Sequence, residues 1–192
     1  MALFNIIMMK YAKEEGVAAF TAINYILWLG NMVNYAAADS LNPLISTNYG
    51  AGKFNRIKNF LITGLIFTIS NGIFIFFLIS FFGDTLTALF IKNTSSAAFN
   101  MAVEFMSIIK WAFFLSGVNM VFSSYFTAML RPKESAIIAT LRSLILPCSM
   151  LLILPLYFGK TGIYTVIPVS ELLTFAAALT LFMLSRKFLL KR

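Results

Sequence analysis

The chain has 192 residues, 60% hydrophobic and 11% charged, with 21 Phe, a formal net charge of +8 and a mean hydropathy of +0.87. A soluble domain of this length has too little interior to hide so much apolar surface, so the sequence predicts an all-α integral membrane protein, and Lys and Arg at the ends of apolar segments argue against nucleic acid as a partner. With one cysteine, Cys148, no histidine and no clustered nucleophile, base or metal-ligand set, the composition excludes a disulfide framework and His-based catalysis and predicts no enzyme activity and no cofactor.

Apolar segments fall at about 1–12, 17–48, 57–83, 97–129, 135–157 and 161–185, with no linker or low-complexity tract, so residues 1–192 read as one lobe. Crossing a hydrocarbon core of about 30 Å takes about 20 helical residues. Five segments are long enough, whereas the first, at 1.5 Å per residue, reaches only about 18 Å. The expectation is a polytopic helical bundle of five full transmembrane helices plus a partial first one, the tail of a helix whose beginning lies before Met1. Met1 to Met9 lacks the basic n-region and cleavage site of a signal peptide. Asp84 to Ile91 reads as a short interfacial helix. The turns after segments two and four, with the C-terminal tail, hold nine Lys and Arg residues (Lys53, Arg56, Lys58, Arg131, Lys133, Arg186, Lys187, Lys191, Arg192). The remaining turns hold four, Lys10, Lys13, Lys92 and Lys160. The richer side is predicted to be cytoplasmic, C-terminus included.

In segment two, Asn24, Trp28, Asn31, Tyr35 and Asn42 share a helix face, with Asp39 at its edge. Polar side chains at membrane depth must face protein or water, so this stripe lines a cavity or serves as helix-to-helix packing contacts. Asp39 is the sharpest candidate for substrate or ion coupling; its alternative is a salt bridge, with Arg142 the available partner. Pro43 lacks the N–H that would bond the residue 39 carbonyl, and is read as a kink. Gly50-Ala51-Gly52-Lys53 is not a phosphate-binding loop, because Thr47 stands where that loop needs Gly and Phe54 where it needs Ser or Thr.

Segment four carries Glu104 near one end, Lys110 deeper and expected to snorkel, and Asn119 with Ser123 on one face. Segment five places Ser135, Arg142 and Ser149 on one face; segment six places Tyr164 and Glu171 on one face. Arg142 and Glu171 are each costly alone in a membrane, and a structural pair between helices is the favoured reading.

Taken together, several motifs resemble one family. Asn42-Pro43-Leu44-Ile45-Ser46-Thr47-Asn48-Tyr49-Gly50-Ala51-Gly52 is similar to the end of the second helix of each six-helix lobe in MATE (multidrug and toxic compound extrusion) transporters. Ala88-Leu89-Phe90, Gly117-x-Asn119-x-Val121 into Tyr125-Phe126-Thr127-Ala128, Leu141-Arg142, Gly162-Ile163-Tyr164 and Pro168-Val169-Ser170-Glu171 resemble the C-terminal lobe. The resemblance covers about residue 17 onward. It implies two bundles around a pseudo-twofold axis, of which this chain supplies the second and lacks the N-terminal lobe. It also implies exchange of small cationic amphipathic drugs against H⁺ or Na⁺ by alternating access in a plasma membrane, that of a bacterial inner membrane in particular. Some members carry an essential acid at the position of Asn119; here the residue is uncharged, and the coupling ion stays open. On this reading Asn31, Tyr35, Asp39, Asn42 and Asn119 line half of the transport cavity. The alternatives are a lipid-linked saccharide flippase and a non-transporting membrane scaffold.

Overall fold

The computed structural model describes residues 2–189, with side chains described through Ser185. Among them there is no strand. Helix α1 spans Ala2–Gly50 and α2 Phe54–Ala88; α3, Ala97–Ile109, runs through one 3₁₀ turn at Lys110–Ala112 into α4, Phe113–Ala128. Helix α5, Pro132–Thr140, passes through a π turn at Leu141–Ile145 into α6, Leu146–Leu189. Four runs are long and apolar enough to cross a membrane: Ala2–Gly50, Phe54–Ala88, Ala97–Ala128 and Pro132–Ser185.

This count differs from five full spans plus a partial first, for a physical reason. Two of the runs fold back on themselves within one residue, at Lys13 (φ 53, ψ −156) and at Gly159 (φ 57, ψ −136). A Cβ on Gly16 would collide with that of Ala12, and one on Gly162 would collide with the carbonyl oxygen of Leu154. Residues 154 and 162 would be about 12 Å apart in a straight helix, so the chain has reversed there. The polar breaks at Lys13–Gly16 and Gly159–Gly162 are therefore tight hairpin turns, each dividing its run into two abutting helical segments. At Phe82 (φ −123, ψ 15) α2 also kinks. Residues 83–88 form a separate short piece where the sequence predicts an interfacial helix, and helix ends at Ala88 rather than Ile91.

At the opposite end the chain turns by glycine-type helix caps. Lys53 N–H donates to the Asn48 carbonyl at 2.9 Å and Gly52 N–H to the Tyr49 carbonyl at 3.1 Å, with Gly52 at φ 68. The left-handed cap position favours glycine, which accounts for the end of the Gly50-Ala51-Gly52 motif. After α4 the same bonds recur, Arg131 N–H to Phe126 at 2.9 Å and Leu130 N–H to Thr127 at 3.1 Å, with Leu130 at φ 58. The cytoplasmic charges expected of the C-terminal tail, at Arg186, Lys187, Lys191 and Arg192, lie outside the described side chains.

Two apolar cores form. One, toward the Lys13 and Gly159 reversals, gathers Phe20, Ile23, Phe105, Ile109, Phe113 and Tyr164; the other, toward the Gly52 turn, gathers Leu41, Ile45, Val121, Phe126 and Ile138. Between them lies a polar layer containing Asn34, Thr68, Ser116, Asn119 and Glu171, all buried. Lipid offers no hydrophobic force to press helices together, so close approach depends on small residues. A Cβ on Gly72 would sit 2.6 Å from the Phe113 carbonyl oxygen, and one on Gly117 would sit 2.7 Å from Thr68 Cβ. Gly72→Ala should therefore destabilise the detergent-solubilised chain by about 1–3 kcal/mol. Gly50→Ala, with nothing within 4 Å of the added atom, should leave its melting temperature near that of the parent chain; tryptophan-fluorescence melting of the pair checks the contrast.

Candidate functional site

A cavity of about 300 Å³ opens between α1, α4 and the α5–π-turn segment. Its lining includes Tyr35, Asp39, Asn42, Asn119, Ser123, Ser124, Thr127, Arg142 and Ser143. Asp39, Asn119 and Arg142 each stand about 14–17 Å along their helices from the nearer chain turn, which puts the cavity inside the membrane, between its midplane and the Gly52 turn.

Its firmest feature is an ion pair against the cavity wall. Arg142 Nε donates to Glu171 Oε1 at 2.9 Å, with the two side chains 17% and 7% exposed. Asn119 Nδ2 donates to Glu171 Oε2 at 2.7 Å and to the Glu171 backbone carbonyl at 2.9 Å. Both carboxylate oxygens are thus occupied. Arg142 Nη1 further donates to the Tyr35 hydroxyl at 3.3 Å, and the guanidinium carbon lies 5.7 Å from the centre of the Tyr35 ring. The π turn helps to place Arg142. Pro147 has no N–H for the Ser143 carbonyl, and just before it Leu146 N–H bonds back five residues to Leu141.

Other polar groups tie the walls together. The Ser123 and Ser135 hydroxyls are 3.1 Å apart, and those of Thr127 and Ser135 2.7 Å apart, joining α4 to α5. Ser124 donates to the Ala38 carbonyl of α1. Asp39 lines the cavity, is exposed, and forms no ion pair among the described residues; Arg142 is committed to Glu171 instead. Two amide oxygens in the lining, Asn42 Oδ1 and Asn119 Oδ1, are buried without a hydrogen-bond partner. Pro43 leaves every neighbouring residue at helical φ/ψ, so its effect is the missing donor for the Asp39 carbonyl rather than a break.

The structure brings Tyr35, Asp39, Asn42, Asn119, Arg142 and Glu171 together and leaves Asn31 out. Asn31 Nδ2 donates to the Leu27 carbonyl at 3.0 Å, and its Oδ1 accepts from the Ser116 hydroxyl at 2.9 Å, so it holds α1 to α4. Glu104 pairs with Lys160 at 3.1 Å, both half-exposed. Sequence reasoning passed over Ser124, Thr127 and Ser143 as lining residues, and the bond from Asn71 Nδ2 to Asn34 Oδ1 at 2.9 Å. For Thr127 a signal was present: Ser116, Asn119, Ser123 and Thr127 recur at helical spacing along one face. Among the described residues no group of three or more His, Cys, Asp or Glu could hold a metal.

Three comparisons bear on this arrangement. The family model MatE matches residues 1–152. The chain is 25% identical, over 166 residues, to the FAD transporter of Shewanella oneidensis, an alignment that takes in 86% of this chain and 36% of that protein. In fold it is similar to a multidrug resistance MATE family transporter of the MOP superfamily solved facing outward (TM-score 0.85, 19% identity, 97% of this chain and 41% of that one). It is also similar to a MOP superfamily transporter from Pyrococcus furiosus whose binding pocket is described as having reverse polarity (TM-score 0.81, 18% identity, 94% and 41%). The chain spans about a third of the curated relative and about two fifths of these solved chains.

Removing one member of a buried pair strands the other, at a cost of about 3–5 kcal/mol, whereas replacing both with apolar side chains of similar volume is close to neutral. Arg142→Met should therefore destabilise the chain far more than Arg142→Met combined with Glu171→Leu. A double-mutant cycle on thermal unfolding in detergent measures the coupling.

Proposed function

The chain belongs to the MatE family, and we propose that it forms one lobe of a secondary efflux transporter that exchanges small cationic amphipathic substrates for H⁺ or Na⁺ by alternating access. Membership supports a multi-pass membrane protein with a transport role; the substrate class and the exchange are the proposal. What carries it is the charge balance of the cavity around Asp39 and Arg142. Its one cation among the described residues, Arg142, is neutralised by Glu171, while Asp39 and the unpartnered oxygens Asn42 Oδ1 and Asn119 Oδ1 remain as acceptors. A cavity whose cation is already neutralised and whose other carboxylate is free is complementary in charge to an ammonium or amidinium group. The exposed face of Tyr35 offers an aromatic surface to the same ligand's apolar part.

In this reading Asp39 is the group for which substrate and coupling ion compete. Glu171 is held on both oxygens and acts as a strut. A site inside the membrane is what alternating access requires, since it must be reachable from each side in turn. The excess of Lys and Arg at the Gly52 and Leu130 turns supports a cytoplasmic orientation for that end in a plasma membrane.

A second reading, export of a flavin dinucleotide, is favoured by the 25% identity to the FAD transporter. A diphosphate needs free cations, and Arg142 is already engaged, so this reading ranks below the first. In cells expressing the transporter that contains this lobe, Asp39→Asn should weaken export of a fluorescent organic cation on the order of ten- to hundredfold, the effect of losing one charge-assisted contact, with surface expression unchanged. Undiminished export would remove Asp39 from the mechanism, and flavin export by the same cells without cation export would favour the second reading.

A further inference from the structure

We propose that the α2–α3 end of the bundle carries a binding site for one aminophospholipid headgroup, with Lys110 taking the phosphate and Asp84 the ammonium. The site is a cavity of about 190 Å³ whose lining includes Ser80, Asp84, Ser107 and Lys110. It is separate from the cavity around Asp39, and it holds whatever that cavity transports and whichever side faces the cytoplasm.

Depth comes first. From Phe54 to its kink at Phe82, α2 rises about 42 Å, which matches a bilayer of about 40–45 Å with its headgroups. Ser80 and Asp84, flanking the kink, therefore stand at headgroup level. Lys110 starts deeper, in the 3₁₀ turn, and extends toward that level. Its Nζ passes 4.9 Å from the centre of the Phe76 ring and donates to Ser80 Oγ at 3.0 Å. Two of the three ammonium protons are left over.

Charge comes second. The ion pairs among the described residues join Arg131 to Glu134, Arg142 to Glu171 and Lys160 to Glu104, so Lys110 and Asp84 share one cavity with neither paired. An unpaired cation and an unpaired anion facing one space are complementary to a headgroup that carries the two charges in reverse. Lys110 meets the phosphate and Asp84 the ammonium. Ser107 Oγ gives its own proton to the Glu104 carbonyl at 2.6 Å, which leaves its lone pairs to accept from the same ammonium. This selects a primary amine: a choline has no N–H to offer Asp84, and a phosphoglycerol has no cation. Beside the cavity Phe77, Phe81 and Trp111 are exposed, and they give the acyl chains an apolar surface that a soluble phosphate ester does not need.

Native mass spectrometry of the purified chain, offered phosphatidylethanolamine, phosphatidylcholine and phosphatidylglycerol of matched acyl chains, tests the assignment. One phosphatidylethanolamine should be retained in preference to the other two. Lys110→Ala and Asp84→Asn should each reduce that retention on the order of tenfold, and Lys110→Arg should keep it. Asp84 is exposed, so Asp84→Asn leaves folding intact and decides the matter alone if Lys110→Ala misfolds. Equal retention of the three lipids, full retention by Asp84→Asn, or displacement of the lipid by inorganic phosphate would each overturn the proposal. Displacement by glycerophosphoethanolamine but not by phosphate would support it.

Discussion

The carboxylate of Glu171 sits at membrane depth, where an unmatched charge cannot stay, and much of the lobe is arranged to match it. Its two oxygens receive donors from Asn119 on α4 and from Arg142 in the π turn, and Arg142 leans on Tyr35 of α1. Four elements are thus pinned at one level by groups that cannot slide. A shift of either α4 or α6 by one residue would separate Asn119 from both of its acceptors on Glu171, the carboxylate and the backbone carbonyl. The π turn belongs to the same arrangement, because it is the segment from which Arg142 reaches α6.

Around that node the two apolar cores are held by geometry rather than by exclusion of water. Lipid tails are as apolar as Ile and Phe, so contact is gained through dispersion and through backbones that come close. Gly72 lets α2 rest against the Phe113 carbonyl, and Gly117 lets α4 settle between Thr68 and Asn34. The polar layer therefore sets the register, and the glycines set the distance.

Much of this could be read in advance, and the exceptions are instructive. Segment positions followed from hydropathy, because a helical run of about 20 apolar residues matches the thickness of the hydrocarbon core. Arg142 and Glu171 stood out as charges too costly to be left alone, and their pairing followed. Asn31 fell in the cavity stripe by periodicity alone, yet its place in the structure depends on Ser116, which lies 85 residues away along the chain. No helical wheel contains that distance. The hydroxyls of Thr127 and Ser143 carry little weight in a hydropathy reading, and only the three-dimensional meeting of α4 with α5 makes them a wall. The reversals at Lys13 and Gly159 were visible as polar breaks, but not as single-residue turns, since φ and ψ are not written in composition. The family motif ending in Gly52 specified its helix cap well. The same cap at Leu130 was hidden because leucine there departs from the usual glycine.

Those one-residue reversals decide how this molecule can be labelled. At the Lys13 and Gly159 end, the chain leaves helical bonding for more than a residue only between Ala88 and Ala97, while the other two crossings are tight knuckles with Gly16 and Gly162 pressed against the preceding helix. An epitope, a protease site or a bulky fluorophore inserted at either knuckle would have to pry a helix pair apart. The segment 89–96 is therefore the natural place at that end for a topology reporter, and a cysteine scan for sidedness should begin there.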